Sequence, residues 1–139
     1  MIKKIIYIFL FFIIAAIATG IYLWNKPHKN IETTKEDFVL SAVDFYKEYS
    51  ADETTANKKY LNKVIIVSGK IAEIQLENPD EPSIAIETGT DESTINCGFK
   101  KEFLNDLKAL KTGEIVKIKG KCDGFSMFGI VFTQCNLEK

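Results

Sequence analysis

Three cysteines, Cys97, Cys122 and Cys135, are the residues of this sequence best suited to covalent chemistry. In an oxidising compartment two of them would form a disulfide and leave one thiol over. Cys122 and Cys135 end the two arms of a predicted hairpin, so we predict a bond between them, with Cys97 as a buried free thiol, if their Cα atoms lie within about 7 Å. The alternative is that all three are buried thiols acting as small apolar residues.

The sequence offers no constellation for metal binding or catalysis. The cysteines lack Cys-x-x-Cys spacing, and no histidine lies near them as a fourth zinc ligand. There is no Gly-x-Ser-x-Gly motif and no phosphate-binding loop, and the single histidine, His28, lies near the N-terminus. Acidic pairs lie in predicted turns, where solvated charge is usual. We therefore predict no enzyme activity, no metal and no cofactor.

Two groups of residues could bind a partner. Phe125, Met127 and Phe128 lie in a predicted loop over residues 123–129, where they would form a contact surface or close the end of a barrel. Lysines form the second group: Lys100 with Lys101 at the start of a helix, and Lys117, Lys119 and Lys121 along one strand face. A lysine row commonly guards an exposed strand. It could also form part of a single-stranded nucleic-acid groove, which needs converging cations and stacking aromatic residues.

Alternating apolar residues predict five strands. The first, residues 63–77, moves its apolar residues from one face to the other beside Gly69, which predicts a bulge and a strand shared by both halves of a closed barrel. The other strands are predicted at residues 83–88, 94–99, 114–122 and 130–137. A helical spacing from Phe103 to Leu110, ended by Gly113, lies between the third and fourth strands. This order is that of a five-stranded OB-fold barrel, mainly β with helices.

The N-terminal part predicts a membrane anchor. Residues 5–24 contain no charged side chain and would span about 30 Å as a helix. Lys3 and Lys4 favour a cytoplasmic N-terminus, which places the C-terminal domain outside the cytoplasm, periplasmic or extracellular. The alternative is a signal peptide cleaved after Ala16-Ile17-Ala18.

The predicted organisation has four parts. Residues 1–25 are the transmembrane signal anchor, and residues 26–34, with Pro27 and His28, are a polar linker. Residues 35–59 form a helix and a connector, with the helix over residues 35–49 after a capping-box-like Thr34 and Asp37 and packed on the barrel. Residues 51–59 are irregular or a second short helix, and residues 60–139 form the OB-fold domain.

Charge argues against a partner recognised by its phosphates. The 139-residue chain has a formal net charge of −1, and because Lys3 and Lys4 supply two positive charges, the part beyond the anchor is near −3. A mildly acidic domain has no basic excess to draw it onto a phosphate backbone.

Several short stretches together resemble the bacterial tRNA_anti-like OB-fold family. They are Lys59-Tyr60, Val67-Ser68-Gly69-Lys70-Ile71, Cys97-Gly98-Phe99, Gly113-Glu114, Gly120-Lys121-Cys122-Asp123-Gly124 and Cys135. The resemblance covers about residues 60–137 and implies kinship in fold with the OB domains that bind tRNA anticodons. A weaker similarity is to small periplasmic OB-fold proteins of the bacterial envelope. Fold does not by itself carry function.

The leading hypothesis is a membrane-tethered OB-fold binding or adaptor module of the bacterial cell envelope, with an envelope protein or another envelope component as its partner. The alternative is an OB domain that binds single-stranded, tRNA-like nucleic acid. A third possibility is a domain that only spaces or stabilises an envelope complex. Retention on single-stranded nucleic acid at physiological salt would favour the second hypothesis, and crosslinking in intact cells would favour the first.

Overall fold

The computed structural model describes residues 2–24 and 31–138, with side chains for residues 4–22 and 31–138. The helices are α1 (Ile2–Trp24), α2 (Ala42–Ala51), α3 (Glu53–Tyr60) and α4 (Leu104–Lys108), the last preceded by a 3₁₀ turn at Lys101–Phe103. The strands are β1 (Phe38–Ser41), β2 (Val64–Gln75), β3 (Ser83–Glu87), β4 (Thr94–Phe99), β5 (Ile115–Ser126) and β6 (Gly129–Glu138).

Strands β2 to β6 close into a barrel in the order β2-β3-β4-β6-β5, and β5 pairs back onto β2. The long strand β2 belongs to both halves of the wall, because its first part pairs with β5 and its last part pairs with β3. Its register shifts between Ile71 and Glu73, so the predicted change of face is confirmed. The five-stranded OB-fold with a helix between the third and fourth barrel strands is confirmed as well.

Gly69 is required by close packing. A Cβ at this position would overlap the Ile86 side chain and lie 2.8 Å from the Ala42 Cβ. Any larger residue would therefore push β2 away from both β3 and α2.

The predicted single helix over residues 35–49 is wrong in its first half. Phe38–Ser41 forms β1, a sixth strand that pairs in parallel with β2 and sets Phe38 opposite Ile65. The helix begins at Ala42, and Ser41 is its cap, because the Asp44 N–H donates to the Ser41 hydroxyl at 3.1 Å. Asp37, expected in the capping box, instead accepts a hydrogen bond from the Val64 N–H at 3.0 Å. The edge of β2 offers Phe38–Ser41 interstrand hydrogen bonds that outweigh its helical spacing.

The predicted loop over residues 123–129 is mostly strand. Strand β5 continues to Ser126 through a register shift between Cys122 and Gly124, and Phe125 pairs with Ile130. Only Met127 and Phe128 remain in the turn. A β-bulge hid the alternation, because it moves the outward-facing residues by one position.

The barrel interior is closed by aromatic side chains of the N-terminal helices. Phe45 of α2 lies edge-on to Tyr60 at 4.9 Å and to Phe132 at 5.6 Å between ring centroids. All three rings are buried. The prediction that the helix before the barrel packs on it is confirmed, and α3 realises the short second helix that was one of two predictions for residues 51–59.

All three cysteines are free and buried, so the structure does not contain the predicted Cys122–Cys135 disulfide. Residue pairing explains this, because Phe132, and not Cys135, lies opposite Cys122 across the hairpin. The Cys122 sulfur lies 3.4 Å from the Tyr49 hydroxyl oxygen. Cys135 packs on Gly120 from β6, since a Cβ at Gly120 would lie 2.7 Å from its sulfur.

Helix α1 contains a 19-residue stretch, Lys4–Tyr22, that is long and apolar enough to cross a membrane. Its mean hydropathy is 2.5 and none of it is buried against the rest of the molecule. A membrane anchor and a signal sequence both fit this helix. Most of the predicted linker, including Pro27 and His28, lies outside the described residues. Ile31, where the description resumes, is buried.

Candidate contact surface

The turn between β5 and β6 presents adjacent large apolar side chains to solvent. Met127 is 94% exposed and Phe128 is 77% exposed, whereas Phe125 is 38% exposed. We call these three side chains the hairpin tip. They are the apolar residues predicted from the sequence, and the structure places them together at one end of the hairpin.

The backbone of the turn is held by its neighbours. The Ser126 hydroxyl donates to the Gly129 carbonyl at 3.1 Å, and the Phe128 N–H donates to the Ser126 hydroxyl at 3.4 Å. Gly129 has φ of +123°, and a Cβ there would overlap the Thr94 carbonyl oxygen, so only glycine lets the turn approach β4 so closely.

Phe125 connects the tip to the core. Its ring stacks on Tyr49 with centroids 6.0 Å apart and planes at 20°. The Tyr49 hydroxyl donates to the Asn57 side-chain oxygen at 3.2 Å. Burial and the neighbouring Cys122 thiol raise the pKa of Tyr49 far above its usual value, so it stays neutral at all ordinary pH values. Phe125 is thus a half-buried support, and Met127 and Phe128 form the free surface.

The outer face of β3 and β4 lies beside the tip and consists of small or acidic residues. Asn96 joins the two regions, because its side-chain nitrogen donates to the Phe128 carbonyl at 3.5 Å. Sequence reasoning missed Asn96, since a single asparagine in a strand carries no signal of a turn that lies 32 positions away. The outward-facing residues are Ser83, Ala85 and Glu87 on β3 and Thr94, Asn96 and Gly98 on β4. This face therefore presents neither an aromatic ring nor a lysine.

The predicted lysines lie away from the tip, and most are paired. Lys119 is 7% exposed, and its nitrogen lies 3.8 Å from a Glu36 carboxylate oxygen and 4.0 Å from one of Glu138. Lys121 contacts Asp123 at 2.7 Å. Segment 31–36, which contains Ile31 and Glu36, therefore covers part of the outer face of β5.

The remaining predicted lysines are also distant from the tip. Lys100 contacts Glu102 at 3.7 Å and follows the end of β4 that is remote from the turn. Lys117 is exposed near the start of β5, at the end of that strand opposite the tip. The structure therefore does not gather the lysines and the tip aromatics into one groove.

A cavity of about 640 Å³ opens at the other end of β5, which sequence reasoning did not anticipate. Phe103 and Leu110, beside α4, and Val116 and Leu137, on the strands, form its apolar part. Its rim carries three carboxylates and one ammonium group, from Asp106, Glu114, Glu138 and Lys117. The described residues contain no group of three cysteine, histidine or acidic side chains placed to hold a metal ion.

Comparison with known proteins gives a family and a fold. A family model described as tRNA_anti-like matches residues 1–137. No curated protein sequence matches the chain. A crystal structure described as a "putative nucleic acid-binding lipoprotein" from Klebsiella pneumoniae subsp. pneumoniae MGH 78578 is 16% identical, with a TM-score of 0.59. The alignment covers 82% of this chain and 100% of that one.

A second similar structure belongs to a much larger protein. It is described as a putative aspartyl-tRNA synthetase from Leishmania major Friedlin, with 7% identity and a TM-score of 0.50. The match covers 81% of this chain but 22% of the synthetase. At these identities both neighbours establish the fold alone.

Proposed function

Because the chain belongs to the tRNA_anti-like family of OB-fold proteins, we propose that it is a membrane-tethered binding module of the bacterial cell envelope. In this proposal the hairpin tip contacts a protein or another envelope component. The observation that carries the proposal is the exposure of Met127 and Phe128, at 94% and 77%, on an ordered hairpin. Apolar side chains grouped on an otherwise polar surface commonly mark an interaction site.

Helix α1 supports the tether. The unburied stretch Lys4–Tyr22, of mean hydropathy 2.5 and with Lys4 as its one charged residue, has the length of one bilayer crossing. Lys3 and Lys4 at its N-terminal end favour an N-terminus in the cytoplasm, and the domain would then lie outside. The description of the Klebsiella pneumoniae neighbour as a lipoprotein fits an envelope address.

The family name and that neighbour's description also fit the alternative, binding of single-stranded nucleic acid. Such binding needs a cationic groove that follows the phosphates, with aromatic platforms for the bases. Here Lys119 and Lys121 are already paired with carboxylates, and the outer face of β3 and β4 carries acid but no aromatic ring. We therefore favour a partner recognised by its apolar surface.

Site-specific photocrosslinking in intact cells tests the proposal. A photoreactive residue at Met127 should give a discrete adduct, and Phe125→Ala combined with Phe128→Ala should abolish it while the fold persists. The same probe at Lys108, on the short helix α4, is the matched control and should give none. Unfolding of the double alanine variant would show that these residues are core, and each single variant should then be examined separately.

Oligonucleotide binding tests the alternative. We expect no binding of labelled single-stranded DNA or RNA near physiological salt. Micromolar binding that weakens steeply with salt, and is lost when Lys117, Lys119 and Lys121 are neutralised, would overturn the proposal.

A further inference from the structure

We propose that the partner of the hairpin tip is the lipid bilayer itself: Met127 and Phe128 insert into the membrane surface beside α1 and hold the barrel against it. This inference rests on the proposed function, since it assumes that α1 is a membrane anchor. It replaces a general envelope component by one chemical class, the interfacial region of a phospholipid layer.

The tip itself carries no charged side chain, although the exposed Asp91 and Glu92 lie in the loop that leads into β4 beside it. The thirteen residues from Gly124 to Asn136 include no acidic or basic side chain. The nearest charges in sequence, Lys121 and Asp123, neutralise each other at 2.7 Å. Placing a charged group in hydrocarbon is strongly unfavourable, so an uncharged tip is a precondition for insertion.

The polar backbone of the turn is also partly satisfied from within the protein. The Phe128 carbonyl accepts from Asn96, its N–H donates to Ser126, and the Gly129 carbonyl accepts from the same serine. Backbone groups that keep partners lose less when they enter a region poor in water.

The short connection from α1 keeps the domain near the bilayer. Seven Cα–Cα steps join Trp24 to Ile31, and at about 3.6 Å each they span at most about 25 Å. Ile31 is buried, and the contact of Glu36 with Lys119 holds segment 31–36 on β5. Eight strand residues, or about 26 Å, separate Lys119 from Met127. The tip therefore lies within reach of the bilayer surface that α1 leaves.

Two apolar side chains, like a single acyl chain, bind a membrane only weakly unless a second anchor holds them close to it. Here α1 would supply that local concentration, so that docking becomes intramolecular. The stacking of Phe125 on Tyr49 holds the strand end next to Met127 in place. Docking therefore costs less conformational entropy.

Tryptophan fluorescence in the full-length protein tests the inference. Trp24 is the only tryptophan, so a Trp24→Phe background leaves one added tryptophan as the probe. Phe128→Trp, reconstituted in phosphatidylcholine vesicles whose acyl chains carry nitroxide quenchers, should emit at shorter wavelength and lose at least half its intensity. Raising the salt from 0.1 to 1 M should change neither value, because the tip has no charge.

Ile115→Trp in the same background is the matched control. Ile115 is also 77% exposed, but it lies at the opposite end of β5, next to Glu114 and near Lys117. We expect solvent-like emission and little quenching from this probe. Equal quenching of the two probes, or solvent-like emission from Phe128→Trp, would overturn the inference. Both sites are exposed, so we expect both variants to fold. Urea midpoints equal to that of the Trp24→Phe background would exclude a folding defect in either variant.

The photocrosslinking test separates this failure from failure of the proposed function. A protein adduct at Met127 without quenching of Phe128→Trp would refute membrane docking and leave the binding module intact. Quenching of Phe128→Trp without a protein adduct at Met127 is the result that the inference expects. Absence of both a protein adduct and quenching would refute the inference and the proposed function together.

Discussion

Phe128 at the tip of the β5–β6 hairpin and Phe132 at its root, the buried part of the hairpin around Phe132 and Cys122, come from one stretch of sequence without charged residues. Phe128 is exposed, whereas Phe132 is buried. The exposed fraction is 77% for Phe128 and 1% for Phe132, four residues later. Phe132 lies opposite Cys122 and meets Phe45 of α2 at 5.6 Å, so it has partners on two sides. Phe128 extends beyond the last element that could cover it.

The comparison shows that the sequence identifies apolar residues that favour burial, but it does not identify which other elements of the fold cover them. At the root, α2 and the barrel wall exclude water. At the tip the Tyr49 ring covers Phe125, and Met127 and Phe128 stay exposed. The exposed remainder is the part available to a partner outside the domain.

Replacing the two phenylalanines by alanine should give the largest contrast. Phe132→Ala removes a fully buried ring between Phe45 and the strand wall, and we expect it to lower the free energy of unfolding by about 3–5 kcal/mol. Phe128→Ala removes an exposed ring and should change it by less than about 0.5 kcal/mol. Urea unfolding followed by circular dichroism measures both. Similar losses for the two variants would mean that the tip is part of the core.

Alkaline pH should weaken the root. Burial raises the pKa of the Cys122 and Cys135 thiols above the reference value of 9.0, while the unfolded chain keeps ordinary thiols. The unfolded state therefore releases protons first, and the stabilisation present below pH 9 is lost as the pH rises above it. Above the pKa of the unfolded thiol and below that of the folded one, each thiol lowers the free energy of unfolding by about 1.4 kcal/mol per pH unit.

Urea midpoints at pH 8, 9 and 10 under reducing conditions measure this dependence. Cys122→Ala should remove one thiol's share of the slope, even though the variant is less stable throughout. A slope unchanged by that substitution would assign the alkaline loss to other groups.

A smaller effect is expected on the outer face of the same hairpin. Lys119→Met removes the ammonium group that contacts Glu36 and Glu138, and the two carboxylates are left without it, so we expect a loss of about 1 kcal/mol. Lys117→Met, two residues earlier on the same face but exposed, should change stability by less than about 0.5 kcal/mol. The difference in stability loss between the two variants should become smaller in 1 M salt, because salt screens the ion pairs of Lys119. Equal effects would indicate that segment 31–36 is not held by Lys119.

Much of the barrel could be predicted because each strand has a local signal. Alternation located the five strands, and the change of face in β2 predicted the register shift at Ile71. Phe38–Ser41 was misread because its spacing suits a helix, and only the neighbouring edge of β2 makes it a strand. The last four residues of β5, 123–126, were missed because a bulge interrupts the alternation of the strand.

The sequence alone determined the barrel, the apolar N-terminal helix and the set of large apolar residues near the last turn, since side-chain periodicity and charge are local properties. Tertiary structure decided which of those residues are exposed, which lysines are paired and what surrounds each cysteine. Those outcomes depend on contacts between residues far apart in the chain. Lys119 meets Glu36 across 83 positions, and Asn96 reaches the Phe128 carbonyl across 32. Such contacts exist only once the barrel has closed, because closure brings together strands whose sequences carry no mark of one another.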